Sequence, residues 1–151
     1  MDPYSIALFV HIVGALLLFV LLTIEGVGLR AGFATAQVNR ILGPISALAI
    51  LIPGIYMVAT QVGWKPWIAV SITSWVLIAA GGAYTGISLM RGRMATRTAT
   101  ISWLVRIGMA LGVVFDMTVK PDAIVAVIAI LAGVVTGAAV GLATRREVCS
   151  T

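Results

Sequence analysis

Five long runs of apolar residues, separated by short polar segments, dominate the pattern of this chain. They lie near residues 4–28, 41–60, 66–90, 101–119 and 121–143. Each run has roughly the 20 residues that a helix needs to cross about 30 Å of hydrocarbon. Lipid offers no hydrogen-bond partners, so backbone bonds must close within each segment. The pattern therefore predicts an all-α, polytopic transmembrane helix bundle with five spans in a single domain, residues 1–151.

The composition indicates lipid rather than water as the solvent of the chain. Of its 151 residues, 61% are hydrophobic and 10% are charged. A soluble domain carries about 25% charged residues. The formal net charge of +5 would suggest nucleic-acid binding in a soluble protein, but this chain has no strip of basic and aromatic residues. We therefore expect the lipid bilayer, and no nucleic acid, as a partner.

The segments that link the apolar runs are alternately rich and poor in basic residues. The first link, the third link and the C-terminal tail hold seven of them: Arg30, Arg40, Arg91, Arg93, Arg97, Arg145 and Arg146. The second and fourth links hold Lys65 and Lys120. Because positively charged loops resist translocation, we expect the N-terminus outside and the C-terminus inside, in a multi-pass protein of the cell membrane.

Glycines recur at four-residue spacing in three of the predicted spans, where small residues let helix backbones approach closely. The glycines concerned are Gly82, Gly86, Gly108, Gly112, Gly133, Gly137 and Gly141. We expect these positions to serve helix packing. The spacing leaves open whether the partner helix belongs to the same chain or to another copy, so we also expect a homo-oligomer or other membrane subunits.

Four ionisable residues lie inside predicted spans, and each is a functional candidate because charge is costly in lipid. His11 is suited to a hydrogen bond between helices, to a proton relay or to ligation of a haem or metal. The chain has one histidine, so a bis-histidine haem within one subunit is excluded. Glu25 is a candidate proton or cation carrier, or the partner of Arg30 or Arg106.

The other two ionisable residues have structural interpretations. Arg106 lies one turn inside the fourth span and is expected to extend toward the headgroups. Asp116 precedes Lys120 by four residues, which places both on one helix face and predicts an ion pair. The single cysteine, Cys149, excludes an internal disulfide and a cysteine-based metal site. We find no catalytic constellation and no metal cage, and therefore do not favour an enzyme.

The opening, with His11 followed by Gly14, Ala15 and Phe19, resembles a bacterial family of predicted integral-membrane proteins of unknown function. Further matching pieces are Pro53-Gly54-Ile55-Tyr56-Met57, Gly63-Trp64-Lys65-Pro66-Trp67 and Met117-Thr118-Val119-Lys120-Pro121. The resemblance implies a location in a bacterial inner or plasma membrane and no established activity. The fifth span after the Lys-Pro corner departs from the family.

A weaker similarity runs to the haem-containing protoporphyrinogen oxidase family and to copper-resistance membrane proteins, which also begin with a histidine in the first span. It implies His11 as a haem or metal ligand. The oxidase's G-L-x-Y-L-x-R segment is absent, since this region reads LLTIEGVGLR.

Three functional hypotheses follow. We favour a helix-packing subunit or module of a membrane assembly, without a catalytic site. The alternatives are a haem- or metal-binding redox protein that uses His11, and a small proton-coupled transporter that uses Glu25.

Overall fold

The structure, a computed structural model, describes residues 2–32 and 35–143. These residues form helices and no strands. The helices are α1 (Pro3–Ala31), α2 (Ala36–Met57), α3 (Pro66–Met90), α4 (Thr96–Val119) and α5 (Ala123–Ala143), and a π-helical segment, Val58–Val62, continues α2. Arg145, Arg146 and Cys149 lie outside the described residues.

Within the described part of the chain, five helices are long and apolar enough to cross a membrane, as the hydrophobic pattern predicts. The third predicted span coincides with α3, whereas α2 and α4 begin five residues earlier than predicted, at Ala36 and Thr96. The reason is physical: hydropathy marks where a helix enters lipid, and the polar first turns of α2 and α4 are helical before that point.

The fifth helix begins at Ala123 rather than at Pro121, because Asp122 caps it. The Asp122 side-chain Oδ1 accepts a hydrogen bond from the Val125 backbone N–H at 2.9 Å. The Asp122 carbonyl oxygen accepts the first helical bond, from Ala126 N at 3.0 Å. This is the geometry of an N-cap. Lys120 ends α4 in the left-handed conformation, with φ of 52°, so the link between the two helices consists of Lys120, Pro121 and the capping residue Asp122.

The described chain divides into two compact units. The first contains α1, α2 and the π-helical segment, and α1 pairs with α2. The second contains α3, α4 and α5, and α4 packs against both of its neighbours. The single-domain interpretation stays a prediction.

Candidate functional site

His11 joins the two helices of the first unit. Its Nδ1 lies 2.8 Å from the carbonyl oxygen of Ile50 on α2. A carbonyl oxygen only accepts, so His11 Nδ1 donates this hydrogen bond. Pro53 lies within the next turn of α2 and has no N–H, so the Ala49 carbonyl, one residue before Ile50, loses its helical donor. Donors from a neighbouring helix commonly satisfy carbonyls in such a turn.

A second hydrogen bond runs between the same helices in the opposite sense. Ser46 Oγ on α2 donates to the carbonyl oxygen of Gly14 on α1 at 3.0 Å, and both residues are buried. The backbones are close here, because a Cβ at Gly14 would lie 2.9 Å from the carbonyl carbon of Ala49. We call this contact, formed by His11, Gly14, Ser46, Ala49 and Ile50, the α1–α2 seam.

Glu25 is buried on α1, with 8% of its surface exposed. It takes part in an interaction within the described structure, as does Arg30 on the same helix. Glu25 lies near the end of the first predicted span, at the predicted inner surface of the membrane. A side chain at that depth is expected to be more exposed than Glu25 is. It is therefore a packed residue rather than a carboxylate in open contact with water.

Arg106 packs against α3 instead of extending to the surface. It is 5% exposed, and it also has an interaction partner. A Cβ at Gly82 would lie 3.0 Å from Arg106 Nη1, and one at Gly81 would lie 3.4 Å from Arg106 Cδ. The two glycines leave the room that the guanidinium and its stem occupy.

Asp116 is fully buried, with 0% of its surface exposed. Its two carboxylate oxygens have no hydrogen-bond partner among the described residues. The expected pair with Lys120 does not form, because α4 ends at Val119 and Lys120 turns away in the left-handed conformation with its side chain exposed. Ser71 on α3 is the polar neighbour of the carboxylate, but its Oγ does not reach hydrogen-bond geometry either.

These contacts belong to one polar face of α3 that runs along α4. The buried polar residues of α3 are Ser71, Ser74, Thr85 and Ser88. Thr85 Oγ1 lies 2.9 Å from Ser102 Oγ on α4. At one end of this face, Asp116 lies beside Ser71. Arg106 lies against Gly82 farther along the face. At the other end, Ser102 contacts Thr85. We call this antiparallel contact the α3–α4 polar seam.

The glycines of α5 meet α4 of the same chain. Gly133 and Gly108 lie backbone to backbone, and Gly137 lies against the Leu104 carbonyl. A Cβ at Gly112 would lie 2.9 Å from Ile130 Cδ1, and one at Gly141 would lie 3.1 Å from Ile101 Cγ1. We call this contact the α4–α5 glycine seam. On α3, in contrast, nothing lies within 4 Å of a Cβ at Gly86.

Several seam residues carry little sign of these roles in the sequence. Gly14 lies three residues after His11, a spacing that places both on one helix face and that predicts a joint contact. Ser71 and Ser74 repeat the same spacing on α3. Ser46 carries no local signal, because a lone serine in a span is equally suited to a bond with its own helix.

The side chains that could ligate a metal or haem determine which cofactors the described residues could bind. No group of three or more His, Cys, Asp or Glu side chains in residues 2–32 and 35–143 is arranged to hold a metal ion. A metal ion or haem iron bound by His11 Nε2 would need its other ligands from Met, Lys, or another copy of the chain.

Comparisons of the chain with protein-family models, curated proteins and solved structures found no match.

Proposed function

We propose that this chain is a helix-packing subunit of a membrane assembly. The observation that supports the proposal is the α4–α5 glycine seam, where Gly108 and Gly133 bring two backbones into direct contact. Lipid tails are as apolar as side chains, so association in a bilayer depends on close van der Waals packing and on hydrogen bonds. The two helices of this seam therefore form one closely packed pair.

The outer faces of the units supply the surface on which an assembly would form. Phe9 on α1 and Ile124 on α5 are 67% and 73% exposed. Gly86 adds a small-residue position on α3 that no described residue fills. A helix from a further subunit would find close approach there, because small residues are enriched at helix interfaces in lipid.

The proposal includes a location and a threading. We place the chain in a bacterial cell membrane with the N-terminus outside and the C-terminus inside. The support is the seven arginines of the first link, third link and tail against two lysines on the other side.

The test of the assembly is the mass of the protein in mild detergent, combined with crosslinking in native membranes. We expect a complex larger than one chain. Gly86→Leu should weaken it, whereas Ala80→Leu, at an exposed alanine of the same helix about a third of a turn around from Gly86, serves as the matched control. A lone monomer that captures no partner in membranes would contradict the proposal.

A second candidate is a haem- or metal-binding role for His11, and the hydrogen bond to Ile50 supports it. Ligating histidines commonly donate their other ring N–H to a carbonyl, which fixes the ring and leaves one nitrogen as the donor atom. Purified protein should then show a Soret band that His11→Ala abolishes. A colourless, metal-free preparation would contradict this candidate.

In the alternative of a small proton-coupled transporter, Glu25 is the candidate carrier because it is a buried ionisable residue. Glu25→Gln should then abolish transport and leave folding intact. Unchanged transport in this variant would contradict the role.

A further inference from the structure

Asp116 places an ionisable carboxyl group inside the second unit without the donors that stabilise its charge. The side chain is 0% exposed, and neither oxygen has a hydrogen-bond partner among the described residues. An ionised carboxylate removed from water needs a positive partner. In a membrane helix, such a residue is by default a functional candidate.

The helices packed against Asp116 do not bring it a countercharge. On α4, Lys120 is one turn away with an exposed side chain, and Arg106 is ten residues away, about 15 Å along the helix. The ionisable side chain of α3, Tyr84, is 67% exposed and thirteen residues from Ser71. No residue of α5 is ionisable. The nearby Asp122 has an acidic side chain that caps α5, so it supplies no positive partner.

We propose that Asp116 binds a proton that exchanges with water, and that Ser71 is the polar group beside the binding atom. On protonation, a hydronium ion transfers its proton to one carboxylate oxygen and leaves water. Ser71 Oγ, which has no hydrogen-bond partner among the described residues, accepts from the new O–H once the two groups move into hydrogen-bond geometry. The site thus gives the α3–α4 polar seam a chemical role beyond packing.

A proton fits this site better than a metal ion. Hard cations take about six to eight oxygen ligands, whereas Asp116 and Ser71 supply three oxygens. The described residues form no cluster of metal-ligating side chains around them. A proton needs one acceptor atom and no cavity.

Asp116 and Ser71 both lie close to helix ends, so the path from their site to water is short. Asp116 lies three residues before the end of α4, about 5 Å along its axis, and Ser71 lies five residues after the start of α3, about 8 Å. Both therefore lie near the end of the seam that carries the α4–α5 turn. Ile68, buried one turn before Ser71, lies between the site and that end, so exchange requires a local displacement there.

The experiment is infrared spectroscopy of the full chain in phosphatidylcholine vesicles, titrated with pH in H₂O and in D₂O. We expect the C=O band of a protonated carboxyl group that shifts in D₂O and converts to carboxylate as the pH rises. Asp116→Asn should remove this band. Asp122→Asn is the matched control and should keep it, since asparagine also caps a helix. Ser71→Ala should shift the band and the midpoint of its titration without removing it.

Three results would overturn the proposal. The first is a spectrum in which Asp116→Asn changes nothing at any pH, because the group is then ionised throughout. The second is a protonated band that neither exchanges with D₂O nor titrates, which indicates a fixed structural acid. The third is a carboxylate band that responds to added Na⁺ or Ca²⁺ rather than to pH. If Asp116→Asn does not fold, the titration of the parent chain and of Ser71→Ala decides between these results.

Discussion

Gly108 on α4 and Gly133 on α5 face each other with their backbones in direct contact. A Cβ on either residue would overlap the carbonyl group of the other. The two helices are joined by the tight turn at Lys120 and Pro121, so they enter this contact as an antiparallel pair. The closeness depends on the absence of side chains at both positions, and this dependence can be measured.

We predict that Gly133→Ala destabilises the second unit by about 1–3 kcal/mol, the usual cost of forcing an extra carbon into a packed site. The added methyl group would meet backbone atoms, which cannot rotate away. The measurement is reversible unfolding in mixed detergent micelles.

Gly86→Ala is the matched control for this substitution, compared in micelles that hold a single chain, where the proposed contact of Gly86 with another subunit is absent. Its Cβ would enter open space, and alanine is the better helix former, by about 1 kcal/mol in water. We expect this variant to be neutral or slightly more stable. Equal losses in both variants would show that the loss in Gly133→Ala does not come from the contact of Gly133 with α4.

Ser46→Ala should loosen the α1–α2 seam. The hydroxyl donates to the Gly14 carbonyl across the helix pair, and hydrogen bonds between membrane helices contribute about 0.6 kcal/mol on average and up to about 1.7. We expect a loss within this range in the same unfolding measurement.

Thr23→Ala provides the comparison for Ser46→Ala. Thr23 Oγ1 donates to Phe19 O at 2.8 Å within its own helix, at an exposed position, so its removal should cost almost nothing. If the two variants lost equal stability, the bond from Ser46 would contribute nothing specific to the pairing of α1 with α2.

Asp122→Ala should destabilise α5 by about 1 kcal/mol, because it removes the side-chain oxygen that accepts from the Val125 N–H. Asp122→Asn should keep most of the stability, since asparagine caps equally well. A loss in Asp122→Asn as large as that in Asp122→Ala would mean that the charge of Asp122, and not the cap, stabilises the turn.

The number and the approximate positions of the helices could be predicted from the sequence, because the length of an apolar run is set by the thickness of the bilayer. Helix starts were less predictable. The first turns of α2 and α4 are polar and still helical, so hydropathy misses them. The π-helical turn after Met57 also leaves no mark in the pattern of apolar residues.

The partners of the candidate residues could not be predicted from the sequence. Spacing places Asp116 and Lys120 on one face only if the helix continues, and α4 ends one residue before Lys120. The glycine spacing of α5 predicts close packing but does not identify α4 as the partner. Likewise, the place of Arg106 depends on Gly81 and Gly82 of another helix, which no local pattern connects to it.

The central claim is that these helices cross a membrane with their links on alternating sides, and cysteine labelling in intact cells tests it most directly. The background is Cys149→Ser, which removes the native thiol. Trp64→Cys lies in the second link at an exposed position, and Ala95→Cys lies in the third link, also exposed. We predict that a membrane-impermeant maleimide labels Trp64→Cys in intact cells and labels Ala95→Cys only after the cells are opened. Labelling of both positions in intact cells, or recovery of the protein in the supernatant without detergent, would contradict the account.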